Sequence, residues 1–226
     1  MDFKSDYINF QNEISRRGIK YLVHFTETIN LLSILENNKI YSRARLEKLR
    51  IEHQDILDHI EFNDNIRLDE LKDFINLSIS FPNFFLFSRF REKINWVYIN
   101  WCVIKINPKY IYAKETLFSV SNAASNASRY QYHITGDYPK FLMLFRDNLS
   151  ITSSLNTKII NRLNLSDKYP TDVQAEVLVK DEIEYSDIIE ICFQNNEALA
   201  SAKAACDGCD TSKFCIDANL FTNRRE

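Results

Sequence analysis

Asp172-Val173-Gln174-Ala175-Glu176-Val177-Leu178-Val179 is the stretch that decides how this chain folds. Val173, Ala175, Val177 and Val179 alternate with the period of two that a half-buried strand requires. The other face then carries Gln174, Glu176 and Leu178. In a strand, Gln174 and Glu176 project to one side, about 7 Å apart. A carboxylate inside such a segment costs free energy unless it reaches water or has partners. Two placements meet that condition. One turns Gln174, Glu176 and Leu178 to solvent; the other sets amide and carboxylate at the mouth of a cleft, as a catalytic pair.

Far upstream, Tyr21-Leu22-Val23-His24-Phe25-Thr26 reads as a short strand. Thr28 to Leu35 follows as an amphipathic helix with Leu31, Ile34 and Leu35 at helical spacing. Thr26 or Thr28 is placed to cap it. Asn37-Asn38 suits a left-handed exit, and Ile40-Tyr41-Ser42 forms a second short strand. His24 and Thr26 stand at a strand-to-helix junction, where the positive helix end attracts anionic or polar ligands. A histidine there also serves as an ordinary structural residue.

Taken in order, these segments resemble the DarT family of DNA ADP-ribosyltransferase toxins. The resembling residues are His24-Phe25-Thr26, Asn30-Leu31 with Ile34-Leu35, Ile40-Tyr41-Ser42, Ser121-Asn122-Ala123-Ala124 and Gln174-Ala175-Glu176-Val177-Leu178-Val179. Phe214-Cys215-Ile216 and Leu220-Phe221 look like the family's last strand and tail. Each piece is short; their order and spacing carry the resemblance.

The resemblance implies an α+β ADP-ribosyltransferase fold, a split, bent sheet around an NAD cleft with surrounding helices, formed by residues 1–226 as a single domain. It implies transfer of ADP-ribose from NAD to a thymine or guanine of single-stranded DNA, as a toxin that blocks DNA replication. Glu176 becomes the catalytic carboxylate, with Gln174 holding the incoming base. His24, Phe25, Thr26, Asn30, Ser42 and Arg45 become NAD contacts. Arg43, Asn122, Arg162 and Tyr169 become candidates to meet DNA. The pyrophosphate needs an arginine, with Arg43, Arg45, Arg67 and Arg91 all eligible. No metal is implied, and a macrodomain antitoxin is the implied partner. Two departures from the best-known branch, at Val120-Ser121-Asn122-Ala123-Ala124 and Ser80-Phe81-Pro82-Asn83-Phe84-Phe85, bear on the identity of the base. Acceptors of RNA or protein, and a non-catalytic NAD- or nucleic-acid-binding module, are the alternatives.

Composition limits the chemistry. Three glycines in 226 residues exclude a glycine-rich phosphate loop, so side chains, helix ends and aromatic stacking must hold any nucleotide. No apolar run reaches the roughly 20 residues of a membrane span. The N-terminus lacks the shape of a signal peptide. Five cysteines match no disulfide framework, and a cytoplasmic location is expected. Cys206-x-x-Cys209 with Cys215 falls short of a four-ligand zinc site unless Cys192 folds back to join it. The net charge of −3 hides a polarity. Residues 39–50 hold Lys39, Arg43, Arg45, Lys48 and Arg50 against Glu47. Residues 51–73 carry Glu52, Asp55, Asp58, Glu61, Asp64, Asp69, Glu70 and Asp73 against Arg67 and Lys72. The basic stretch is placed to flank the cleft; the acidic one reads as a solvated face.

Local patterns predict further elements: a helix over 3–17 stopped by Gly18, a charged helix over 44–61 and a loop over 62–73. A strand over 77–81 and a short helix over 84–91 follow. The longest strand is predicted over 96–106, being rich in aromatic and β-branched residues. Helical pieces and polar loops are predicted over 140–164, with 150–157 the most loop-like. A strand over 188–193, an alanine-rich helix over 197–205 and a last strand over 213–216 close the chain.

Overall fold

The computed structural model describes residues 1–52, 69–92, 100–152, 156–223 and 225. Helix α1 (Tyr7–Arg17) leads in and ends at Gly18, whose left-handed backbone (φ 67°) lets its N–H reach back to the last turn. Strand β1 (Leu22–Glu27), helix α2 (Asn30–Asn37), strand β2 (Lys39–Tyr41) and helix α3 (Arg43–Glu52) follow. Asn38 closes α2 in the left-handed conformation (φ 54°), as its asparagine pair anticipates. Next come β3 (Phe74–Ile79), α4 (Phe84–Glu92), β4 (Trp101–Ile106), β5 (Leu117–Ser119), α5 (Tyr138–Met143), β6 (Asn148–Thr152) and β7 (Thr157–Asn161). The chain finishes with β8 (Glu176–Lys180), β9 (Glu182–Glu184), β10 (Ile188–Phe193), α6 (Asn196–Ala205) and β11 (Phe214–Ile216).

Seven strands form the main sheet in the order β11-β10-β4-β1-β3-β8-β5. Only β10 and β11 run parallel; the other neighbours are antiparallel. The sheet is split at its centre. β1 meets β3 at just Leu22↔Ile79 and Val23↔Ser78. Beyond that point β1 stays on β4 as far as Glu27↔Trp101, while β3 stays on β8 back to Phe74↔Lys180. The two wings therefore diverge where His24 and Asn76 begin to face each other.

Alternation along the strands feeds two apolar layers. Leu22, Ile104, Ile106, Leu77, Val177 and Ile191 join the larger core under α1, α2, α5 and α6. Val23, Val103 and Cys192 point the other way, toward Phe87 of α4 and the tail residues Leu220 and Phe221. Phe10 of α1 is fully buried between the rings of Phe118, Tyr138 and Phe141.

Several expectations need correction. The strand expected across 173–179 begins only at Glu176, because the Asp172 Oδ1 accepts from the Gln174 N–H at 2.9 Å and closes a turn there. Neither threonine caps α2: its N-cap is Ile29, and the buried Thr28 hydroxyl has no partner among the described residues. The loop expected over 150–157 includes the ends of a hairpin, β6 on β7, whose Thr and Ile residues fit a pleated strand. β3 starts at Phe74, three residues before expectation. Of the strand expected over 96–106, β4 occupies 101–106; residues 96–99 lie outside the described residues, as do Arg67 and most of the acidic stretch. The cysteines divide between the two cores. Cys215 Sγ lies 3.5 Å from Cys192 Sγ, while Cys206 packs in the larger core. Glu190 shares the Cys192–Cys215 neighbourhood, but its carboxylate takes the Lys105 ammonium at 2.8 Å.

Candidate active site

The split opens a cavity of about 710 Å³, lined by β1, α2, β2, α3, β3, α4, the loop after β5 and the start of β8. That is within the usual range for small-molecule sites, about 300–1,000 Å³. His24, Phe25, Thr26, Asn30, Ser42, Arg43, Asn122, Gln174 and Glu176 all line it. Nine of the twelve residues singled out in the sequence are thereby gathered from five separate segments.

Glu176 is the first residue of β8, 5% exposed, opposite Ser119 of β5. Its neighbour Val177 points into the core, so the pleat sends the carboxylate to the other face, against the cavity. Glu176 Oε2 accepts from the Asn76 Nδ2 at 3.2 Å and from the backbone N–H of Ala123 at 3.1 Å. The Ser121–Ala124 segment thus contributes a main-chain donor. Asn122 braces that segment, its Oδ1 accepting from the Ala124 N–H at 2.9 Å. The Asn76 Nδ2 also lies 3.4 Å from Asp69 Oδ2, and Asp69 Oδ1 accepts from the Leu71 N–H at 3.0 Å. Two buried carboxylates therefore share one amide on the cavity wall.

His24 faces this group across the split. Its Nδ1 lies 3.1 Å from the Asn76 carbonyl oxygen, which only accepts, so Nδ1 carries the proton. Thr26 Oγ1 accepts from the Asn30 Nδ2 at 2.9 Å and ties the end of β1 to the start of α2. Phe25 stacks on Phe87 with ring centroids 4.7 Å apart. Ser42 serves as a cap: its Oγ accepts from the Arg45 N–H at 3.3 Å at the start of α3.

The cationic residues sort by helical geometry. Arg43 and Leu46, three apart on α3, line the cavity; Arg45, two residues from Arg43, lies on another face and does not. Arg43 Nε is 3.0 Å from Glu47 Oε1. On α4, Arg89 lines the cavity while Arg91 turns away to donate to the Phe221 carbonyl and Gln194. Arg162 and Tyr169 are not part of the wall. Tyr169 is buried against Phe81, and Arg162 donates to the carbonyls of Tyr169 (2.7 Å) and Ser166 (2.9 Å), latching the loop before β8. Both brace that loop from outside the cavity.

Sequence reasoning missed Asn76, Asp69 and Arg89 as cavity residues. Asn76 carried a readable signal: a lone amide inside Phe74-Ile75-Asn76-Leu77, the same anomaly that drew attention to Glu176. Arg89 carried none, because only the helix phase separates it from Arg91.

The arrangement is a cleft with two buried carboxylates, Glu176 and Asp69, sharing the Asn76 amide, a histidine across the split and arginines from two helices. Among the described residues no helix is long and apolar enough to cross a membrane.

A family profile described as ssDNA thymidine ADP-ribosyltransferase, DarT, matches residues 23–222. No curated protein matches the chain. Among solved structures, the fold resembles Thermus sp. 2.9 DarT in complex with carba-NAD+, at 11% identity and a TM-score of 0.58, over 90% of this chain and 98% of that one. It resembles Thermus sp. 2.9 DarT in complex with ADP-ribosylated ssDNA at 10% identity and a TM-score of 0.52, over 91% and 97%. It also resembles Thermosipho africanus DarTG in complex with ADP-ribose, at 18% identity and a TM-score of 0.55. There the match covers 89% of this chain but 51% of the other, so the chain spans about half of that protein's length.

Proposed function

We propose, for a chain that belongs to the DarT family of ssDNA thymidine ADP-ribosyltransferases, that the split-sheet cavity takes NAD and that Glu176 drives transfer to a thymine. Family membership makes the chain an NAD-dependent ADP-ribosyltransferase acting on single-stranded DNA. The observation that carries the residue assignment is Glu176 itself: a buried carboxylate on the wall of a cavity large enough for NAD, held by the Asn76 amide and the Ala123 N–H.

The chemistry follows from charge. Breaking the bond between the nicotinamide nitrogen and ribose C1′ leaves positive charge on C1′. The nicotinamide departs with the bonding electrons. A fixed carboxylate at the ribose stabilises that charge as it develops and orients the sugar by accepting from a ribose hydroxyl. A ring nitrogen of the base then bonds to C1′, and its proton passes to Glu176 or to water. Gln174, in the turn just before β8, is the amide placed to hold that base. His24, Thr26 and Asn30 line the opposite wing for the ribose and adenine side, and Arg43 and Arg89 supply cations for phosphates. Phe85, 56% exposed at the rim, offers a ring on which an unpaired base can stack. Single strands suit such a site because no pairing has to be broken.

The likeness to DarTG supports a toxin role for this chain, blocking DNA replication in the cytoplasm, with a macrodomain antitoxin as partner. The acceptor is tested by incubating the protein with NAD and single-stranded oligonucleotides that contain or lack thymine, and weighing the products. An added ADP-ribose only on thymine-containing strands is expected. Modification of guanine, of RNA or of protein instead would reassign the acceptor.

A further inference from the structure

We infer that Asn76 is a positioning residue for Glu176, an amide clamp that holds the catalytic carboxylate in place and separates it from the second carboxylate, Asp69. This rests on the role of Glu176 proposed above. Asn76 is in the middle of β3, opposite Leu178 of β8, on the face that carries Glu176. Its Nδ2 is 3.2 Å from Glu176 Oε2 and 3.4 Å from Asp69 Oδ2. An ionised carboxylate accepts and does not donate, so the amide must turn its nitrogen toward both. An amide nitrogen has two hydrogens, enough for one to each carboxylate. The Asn76 carbonyl meanwhile accepts from His24 Nδ1 at 3.1 Å. One residue thus links the carboxylate on one wing of the sheet to the histidine on the other.

Two effects follow. The first is orientation. Asn76 and the Ala123 N–H both bind Oε2, so they fix the carboxyl torsion before any substrate enters. The second is charge. Two carboxylates close together resist joint ionisation, and the amide donors offset that repulsion. Among the described residues, the other titratable groups facing this cavity are His24 on β1, Lys39 and Tyr41 on β2, Arg43 on α3 and Arg89 on α4. None of them is altered by the substitutions below.

The test compares Asn76→Ala and Asp69→Asn with the wild type. Two readouts are used: steady-state transfer to a thymine-containing oligonucleotide, and the carbon-13 NMR titration of the Glu176 carboxyl, assigned by its loss in Glu176→Gln. Asn76→Ala is expected to lower kcat on the order of 10- to 100-fold, with KM for NAD nearly unchanged. It should move the Glu176 midpoint up by about one pH unit. Asp69→Asn should move that midpoint down, because it removes the like charge and keeps the clamp. A residue that merely stabilised the fold would not give opposite shifts. A midpoint unmoved by Asn76→Ala, or moved the same way by both variants, overturns the inference. So does a kcat within twofold of wild type. If Glu176→Gln itself transfers ADP-ribose normally, the role of Glu176 fails instead. The NMR midpoints still report the clamp in that case.

Discussion

The Nδ1 of His24 donates to the main-chain carbonyl of Asn76 across the point where β1 and β3 part company. This 3.1 Å bond spans the split that makes the cavity, and it ties the histidine to β3, whose Asn76 donates to Glu176. Position and protonation state of the ring are set together: Nδ1 must carry the hydrogen, which orients Nε2 as an acceptor in the neutral ring.

Replacing His24 should therefore weaken the ligand site without unfolding the protein. His24→Ala is expected to reduce NAD affinity by about 1–3 kcal/mol, the usual cost of removing a polar partner from a buried site. Calorimetric titration of NAD measures it. Wild-type affinity in a folded variant would return His24 to a purely structural role.

Arg43 and Arg89 face the cavity from two helices, so they should carry the dependence on ionic strength. Arg89→Ala is expected to weaken binding of a single-stranded oligonucleotide. It should also flatten the dependence of log K on log salt by roughly 0.7 for each phosphate that Arg89 neutralises. Arg91→Ala, whose guanidinium braces the tail, should leave that slope alone. Equal slopes in all three proteins would remove Arg89 from the DNA path.

Arg162 gives the converse expectation. It is latched to two carbonyls of the loop before β8 and lies over the Phe145 ring. Arg162→Ala should cost about 1–3 kcal/mol of stability in a denaturant titration, with the oligonucleotide salt slope unchanged. A stable variant with weakened DNA binding would place Arg162 in the interface after all.

Stability should also depend on pH through α1. The Glu13 carboxylate is nearly buried and accepts from Arg16 Nε at 2.8 Å and Arg17 Nε at 2.7 Å. The Arg16 hydrogen bonds hold its carboxyl below the ordinary 4.5, against an opposing push from burial. The folded value is depressed, so the stabilisation is complete above the unfolded value and disappears as pH falls through the folded one. Glu13→Gln should cost about 1 kcal/mol at pH 7 and close to nothing once the carboxylate is protonated. An equal cost under both conditions, by chemical denaturation, would contradict this.

Local signals were good guides wherever one residue dictates the backbone. Gly18 and Asn38 end their helices in the left-handed region, and the β-branched run Ile188–Phe193 is a strand from end to end. They failed where a side chain competes with regular structure. Asp172 draws Gln174 into a turn and shortens β8, yet leaves both Gln174 and Glu176 on the cavity wall. They failed again where helix phase decides, as with Arg43 against Arg45. The cavity itself depends on pairings between strands far apart in the chain, β1 with β3 and β4, and β3 with β8. No local periodicity contains those, and only the family resemblance connected His24 to Glu176 beforehand.

The most direct measurement is the mass of a thymine-containing single-stranded oligonucleotide after incubation with NAD and either the wild-type protein or Glu176→Gln. The amide keeps the shape of the side chain and removes the charge that offsets the developing cation. The wild type should add one ADP-ribose to the strand. Glu176→Gln, folded and still binding NAD, should add it at least about 100-fold more slowly. Transfer by Glu176→Gln at the wild-type rate would contradict the account at its centre.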